Sequence, residues 1–289
     1  ITGRKIPFNR QGILMLCLAG EHLDSWQELV VVRLSQGWQL EIWDVDKIKA
    51  NCPQLNIEKI NAAVYSPKDR QVDPTALTVA LVDAAERKGV NFKFGVNVLG
   101  IEATTRDGES KVCRQIQTSI GEIECDFLAI AAGLGASPLT ASLLQTVDIR
   151  PVLGQALQVR LENCLGNPDF QPVITGNDVH IVPVGGGDYW VGATVEFPLG
   201  GNYEIEASAV SLEAVMQEAI GLCPELAKAN IIKTWSGLRP RPEGRPAPII
   251  GKLPGYDNIL LATGHYRNGV LLAPATAQAI RDEILQRRS

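Results

Sequence analysis

Two short stretches near the C-terminus hold residue types that do chemistry. Gly237-Leu238-Arg239-Pro240 sets a guanidinium between a leucine and a proline, just after Trp235. A cation flanked in this way is ill suited to an open face, and its planar fork matches a carboxylate in bidentate fashion. A structural salt bridge at a strand end is the alternative. Gly264-His265-Tyr266-Arg267-Asn268-Gly269 lies between the apolar run Ile259–Thr263 and a helical C-terminus. A helix N-terminus that follows a buried strand offers free N–H groups and partial positive charge, a seat for an anion or an electron-rich ring. Asn-Gly alone would make the turn, so His, Tyr and Arg exceed what it needs; an ordinary polar loop is the alternative. A third stretch, Ala131-Ala132-Gly133-Leu134-Gly135-Ala136, is small enough for a backbone to approach a ligand or another strand. It is not a G-x-G-x-x-G, because position 138 is Pro, and no such fingerprint occurs in the chain. G-x-S-x-G, P-loop and H-E-x-x-H patterns are absent as well.

These residues must be positioned by a chain of 289 residues, 45% apolar and 20% charged, which suffices for one large domain or two ordinary ones. The 27 basic and 32 acidic residues leave a net charge of −5, and there is no Lys/Arg block. Nucleic acid and anionic membrane are therefore poor partners. No apolar run approaches the ~18 residues of a membrane span. The run Ile13–Ala19, preceded by Arg4, Lys5 and Arg10, mimics a short signal-peptide core but reads as an interior β-strand. Six cysteines without a CxxC pair read as buried thiols in a reducing cytoplasm, and three scattered histidines make no zinc site.

Along the chain, Leu29–Leu34 and Gln39–Ile42 read as short strands and Asp44–Asn51 as a brief helix. A clear helix follows Asp73-Pro74 and stops at Gly89, with Leu77, Leu81, Ala84 and Ala85 as its apolar face. Val90–Val96 and Val98–Thr104 read as strands, with a hairpin at Asp107-Gly108 leading into Val112–Ser119 and Gly121–Cys125. Asp126–Gly133 is a continuous apolar run of small and branched residues, as in a buried parallel strand. Gln155–Leu161, Val179–Pro183 and Tyr189–Val195 are strands, the last two joined by Gly185-Gly186-Gly187. Leu212–Leu222 is a helix, Ile231–Leu238 and Ile259–Thr263 are strands, and Leu271–Arg287 is a helix. The fold class is α/β + β, with parallel-type material and antiparallel β material interleaved.

The segments RQVDPTALTVALVDAAERKGV (70–90), DFLAIAAG (126–133), RPVLGQ (150–155), IVPVGGGDYWVGATVE (181–196), SGLRP (236–240), PIIG (248–251) and GHYRNGVLLAPATAQAI (264–280) resemble the FAD-dependent D-amino acid oxidase superfamily. The likeness is greatest to glycine oxidase of the thiamine pathway, and the last segment is the most specific. The resemblance implies a Rossmann-like FAD-binding domain, incomplete at its N-terminus, interleaved with a mostly antiparallel β substrate domain. Residues 1–65 and 150–235 would form the substrate domain, and 66–149 and 236–289 the FAD-binding domain. It implies that Arg239 binds the substrate carboxylate, that Arg267 assists, and that His265, Tyr266, Arg267, Asn268, Gly269, Val270 and Leu271 line the flavin. Val98 would contact the adenine end, with Ala132 and Gly133 close to the cofactor.

The implied reaction is oxidation of the amine of glycine, sarcosine or a D-amino acid to an imine, with O2 as acceptor and H2O2 as product. A dehydrogenase that passes electrons to a carrier, and a cofactor-free fragment without activity, are the alternatives. The implied partners are a small amino acid and O2, without nucleic acid or membrane, and a homo-oligomer is compatible. Two departures stand out. His180 occupies a position where glycine oxidases usually carry Tyr, over the substrate. The loop after Arg239 has no Cys to attach a flavin, so FAD would be non-covalent. Because residues 1–289 lack the glycine fingerprint that holds the pyrophosphate, they are expected to bind FAD weakly. The flanks of DFLAIAAG and ILLAT are expected to be exposed and to promote aggregation.

Overall fold

The computed structural model describes residues 2–105, 110–198 and 205–286. In chain order the strands are β1 (Phe8–Asn9), β2 (Ile13–Leu18), β3 (Glu41–Trp43), β4 (Ile60–Ser66), β5 (Gln71–Val72), β6 (Val98–Thr105), β7 (Lys111–Thr118), β8 (Gly121–Glu124), β9 (Leu128–Ile130), β10 (Ile149–Arg160), β11 (Val173–Gly176), β12 (Val179–Gly185), β13 (Asp188–Gly192), β14 (Asn230–Pro242), β15 (Ile249–Lys252) and β16 (Ile259–Thr263). The α-helices are α1 (Leu23–Ser35), α2 (Val45–Asn51), α3 (Pro74–Glu86), α4 (Ala136–Ala141), α5 (Ala209–Leu222) and α6 (Gly269–Gln286). The chain forms two compact units: Ile1–Lys88, Gly154–Val195 and Glu206–Gly237 in the first, and Gly89–Leu153, Glu196–Ile205 and Leu238–Ser289 in the second.

The first unit is built on an eight-stranded sheet ordered β14-β10-β13-β12-β11-β2-β4-β3. β2 alternates half-buried and buried residues, as a strand covered on one face should. It pairs antiparallel with β4 and parallel with β11. Its run is thus an interior strand, as its sequence suggests. Behind the sheet, Leu14, Leu16, Ile48, Leu157, Ile181, Leu222 and Leu226 form the core. The β12–β13 hairpin turns on Gly185, Gly186 and Gly187, whose φ values of +97°, +63° and +81° suit residues without a Cβ. α5 is capped by Ser208, whose hydroxyl accepts from the Ser211 N–H.

The second unit carries two three-stranded sheets, β15-β16-β9 and β6-β7-β8. β16 is its centre: Ile259, Leu260 and Leu261 are each 0–2% exposed. Burial of that order is worth about 1.5–3 kcal/mol per side chain. β16 runs parallel to β9 and antiparallel to β15. Buried Asn258 ties three segments together: it accepts from the Cys113 N–H and donates to the carbonyls of Cys113 and Asp126.

Several expectations are corrected. Leu29–Leu34 lies in helix α1, not in a strand. Its apolar residues do not alternate. They run together from Leu29 to Val32 and resume at Leu34 after Arg33, with Asp24 in the first turn and Gly37 beyond the end, and of the helix only Val30 is buried. Val90–Val96 forms no strand: Val90 and Phe94 are exposed, and Phe92 stacks on Phe94 at 5.6 Å. A strand needs a ladder partner, and none lies beside this segment among the described residues. In α3 the Asp73 cap is as expected, accepting from the Ala76 N–H, but the buried residue is Ala80 while Leu81 is 58% exposed. The helix is held in the first unit by Asp83, paired with Arg4 and Arg87. Asp126–Gly133 yields only three strand residues, and β9 is an edge strand with Ala129 exposed. Among the described strands β9 has no partner on its other flank, whereas ILLAT is covered on both sides by β15 and β9, contrary to expectation. β6 and β7 pair antiparallel, and the turn residues Asp107-Gly108 lie outside the described residues.

Candidate functional site

The two motifs converge within the second unit. β16 ends at Thr263, whose hydroxyl donates to the Gly133 carbonyl at 2.9 Å, joining the ends of β16 and β9. Gly264 then turns the chain at φ +73°, buried so closely that a Cβ would sit 3.2 Å from Ile149 Cδ1 and from Pro242 Cβ and Cγ. Tyr266 takes φ +50°, a left-handed conformation that costs a non-glycine residue about 1–3 kcal/mol. Its N–H donates to the Pro240 carbonyl at 3.0 Å, next to Arg239. The Asn268 N–H donates back to the His265 carbonyl, and the Leu272 N–H to the Asn268 carbonyl, so the loop closes directly onto α6.

Arg239, half-buried at the end of β14, donates from Nη1 to the Leu153 carbonyl at 3.4 Å. Burial lowers its pKa; Tyr266 raises it and the Arg267 guanidinium lowers it. Two guanidinium groups thus share one locality. Arg239 is charged throughout, since guanidinium does not lose its proton in proteins. The neighbouring arginines are matched by acids: Arg150 with Asp148 at 2.9 Å and Arg241 with Glu243 at 3.4 Å, and Arg241 also lies over the Phe197 ring.

His265 is half-buried, and burial lowers its pKa, so the ring is neutral at pH 7. Its Nε2 is 2.9 Å from the Thr276 hydroxyl. α6 opens at Gly269, with Val270 and Leu271 exposed, and the partial positive charge of its N-terminus faces the loop. An open groove of about 630 Å3 runs along β9, β16 and α6, lined by Ala129, Ala131, Ala262, His265, Ala273 and Thr276. A larger cavity of about 980 Å3 in the first unit is lined by Arg10, Gln71, Glu162, Cys164, Gly186 and Trp190, and contains none of the candidate substrate- or flavin-binding residues.

Arg239, His265, Tyr266, Arg267, Asn268 and Gly269 are therefore brought to one corner of the second unit. Ala132 and Gly133 lie at its β9 side, where Thr263 bonds the Gly133 carbonyl and a Cβ on Gly133 would meet Pro240 Cγ at 3.8 Å. Val270 and Leu271 form the first turn of α6. Val98 is set in the other small sheet, at the start of β6 and paired with Thr118. His180 belongs to the first unit, on β12 between Thr175 and Gly192. Sequence reasoning missed Thr276, the buried residue of α6, because a threonine at that spacing carries no signal of its own.

The second unit is thus mixed α/β, with an Arg- and Gly-lined corner after its central strand. Residues 1–283 match the family model described as DAO, FAD dependent oxidoreductase, and the chain belongs to that family, whose cofactor is FAD. The glycine oxidase of Geobacillus kaustophilus is 30% identical over 290 residues, covering 97% of this chain and 71% of that protein. The bifunctional protein ThiO/ThiG of Nostoc sp. strain PCC 7120 is 32% identical over 232 residues, 80% of this chain. The chain spans only a third of that relative's length. Among solved structures, glycine oxidase from Geobacillus kaustophilus matches with a TM-score of 0.85 and 27% identity, over 99% of this chain and 73% of that one. L-proline dehydrogenase from P. horikoshii shares the fold with a TM-score of 0.83 at 19% identity. Among the described residues, no helix is long and apolar enough to cross a membrane.

Proposed function

We propose that this chain forms the substrate-binding and flavin-facing part of an oxidoreductase that converts the amine of a small amino acid, such as glycine, sarcosine or a D-amino acid, to an imine, with O2 as acceptor and H2O2 as product. The observation that carries the reading is the half-buried Arg239 held beside Tyr266 and Arg267 at the start of α6. In it Arg239 clamps the carboxylate, and Arg267 adds a second positive charge. The resemblance to glycine oxidases supports His180 as a determinant of which amine is accepted.

Ala132, Gly133 and residues 265–271 fit a flat, electron-rich ring: the side chains on the β9 side are small, and the α6 N-terminus favours negative charge. They do not fit the pyrophosphate, for which the 289 residues offer no glycine fingerprint. Bound FAD, held non-covalently, would supply the hydride acceptor. Arg239 fixes the carboxylate and so aims the Cα–H, and positioning of this kind can supply several kcal/mol of barrier lowering. Neutral His265 can donate one hydrogen bond and accept one, without adding a third positive charge beside the two arginines. No protein general base is required in this scheme, because the cofactor carries the electron chemistry.

Arg239→Lys in the amine-oxidising protein tests the assignment. Loss of a bidentate charged pair costs about 1.5–3 kcal/mol, so KM for the amino acid should rise more than tenfold. An unchanged KM would make Arg239 merely structural. H2O2 release during turnover distinguishes an oxidase from a dehydrogenase.

A further inference from the structure

The loop that carries Arg267 is strained at the residue before it. Tyr266 is held at a left-handed φ of +50°, which L-residues avoid. Arg267, exposed on the same loop, bears electrostatically on Arg239 and lowers its pKa. Such a loop keeps its conformation only if its surroundings over-determine it. On one side the anchor is the Tyr266 N–H bonded to the Pro240 carbonyl. On the other side it is the His265 ring, which reaches Thr276 across the first two turns of α6, about 10 Å along the helix axis.

Thr276 is unusual for its place. It is the buried residue of an 18-residue helix, at 7% exposure, and its hydroxyl meets His265 Nε2 at 2.9 Å. The two anchors bracket Tyr266, and Arg267 follows directly between His265 and the helix. With the His265 side-chain anchor lost, the left-handed Tyr266 is held by backbone bonds, its own N–H to the Pro240 carbonyl and the Asn268 N–H to the His265 carbonyl.

We propose that Thr276 is a positioning residue: by its hydrogen bond to His265 it holds the Gly264–Asn268 loop, and with it Arg267, in place against Arg239. The loop mechanics stand on the contacts alone. The consequence for substrate rests on the reading of Arg239 and Arg267 as the carboxylate site.

The test compares the full 289-residue chain with Thr276→Val, which keeps the shape and removes the hydroxyl, and Thr276→Ser, which keeps the hydroxyl. Hydrogen exchange is read at the amides of Tyr266, bonded to the Pro240 carbonyl on β14, and Asn268, bonded to the His265 carbonyl. Exchange there should quicken at least tenfold in Thr276→Val and return towards the original rate in Thr276→Ser. His265→Gln approaches the same bond from the loop side, should a valine perturb α6, and should quicken the same amides. The chain has three histidines, so the ring nitrogens of His265 can be followed separately by NMR. One tautomer should dominate with threonine or serine at 276 and a mixture should emerge with valine. Equal exchange in all variants, or a tautomer ratio indifferent to the hydroxyl, overturns the proposal. In an amine-oxidising protein, Thr276→Val should raise KM for the amino acid at least fivefold with kcat changed less, and serine should restore it. If a protein carrying this chain with FAD bound oxidises no amino acid, the amine-oxidase reading falls while the exchange and tautomer results still decide the role of Thr276.

Discussion

Replacing Gly264 by alanine strikes the turn on which the site depends. The backbone φ of +73° is one that alanine adopts at a cost of about 1–2 kcal/mol. The new Cβ would lie 3.2 Å from Ile149 Cδ1 and from two carbons of the Pro242 ring. Ile149 is 2% exposed and Pro242 is buried, so neither can withdraw into solvent. Overpacking of this kind adds about 1–3 kcal/mol. Together the terms predict a loss of about 2–5 kcal/mol, a melting shift on the order of 5–15 °C for a unit of this size. Gly255→Ala is the matched control. Its φ of +77° imposes the same backbone cost, but the nearest atom to its Cβ is Gln145 Nε2 at 3.7 Å, an ordinary contact. It should lose only the first 1–2 kcal/mol or so. Thermal and urea unfolding of both variants, followed by circular dichroism, decide the matter. Equal losses would refute the packing argument at Gly264, and two neutral variants would refute the backbone argument as well.

His180→Tyr should shift kcat/KM towards glycine relative to D-alanine, since it restores the residue usual in glycine oxidases; unchanged ratios would remove His180 from substrate selection. The polypeptide of residues 1–289 should bind FAD weakly, because its glycine-lined turns do not include a pyrophosphate cradle; a stoichiometric yellow complex in an FAD titration would contradict this. Burial depresses the pKa of His265 in the folded chain. Its neutral form therefore contributes stability that is complete above the unfolded value of about 6.5 and is lost as pH falls from there towards the lower folded value. His265→Gln should flatten that part of the stability–pH curve, and an unaltered acid limb would rule the histidine out as its source.

What was legible in the sequence was mostly local. Asp73 announced the start of α3, and three successive glycines announced the β12–β13 turn, because a cap and a left-handed turn each require a particular residue. Ile259–Thr263 and the crowded loop after it pointed to the strand–loop–helix corner. The errors arose where tertiary context decides. The valines of α1 favour strand by propensity, yet the helix forms with one valine buried. Val90–Val96 has strand composition and no neighbour to pair with. The pair formed by His265 and Thr276, and the packing of Gly264 on Ile149 and Pro242, join residues whose partnership no spacing rule encodes.

The order in which the strands pair has a consequence during synthesis. Leu14 waits for Ile174, and Ala129 for Leu260. Each compact unit is assembled from three separate stretches of chain. As the polypeptide leaves the ribosome, β9 emerges long before β16, its only ladder partner among the described strands. Among the described strands, its Leu128-Ala129-Ile130 edge has no partner until β16 has been made, about 130 residues later. Such non-local pairing makes folding slow and keeps an apolar edge available to other nascent chains. Yield in cells should therefore depend on translation speed and chaperone supply between β9 and β16, and truncations that remove β16 should be far more damaging than their length suggests.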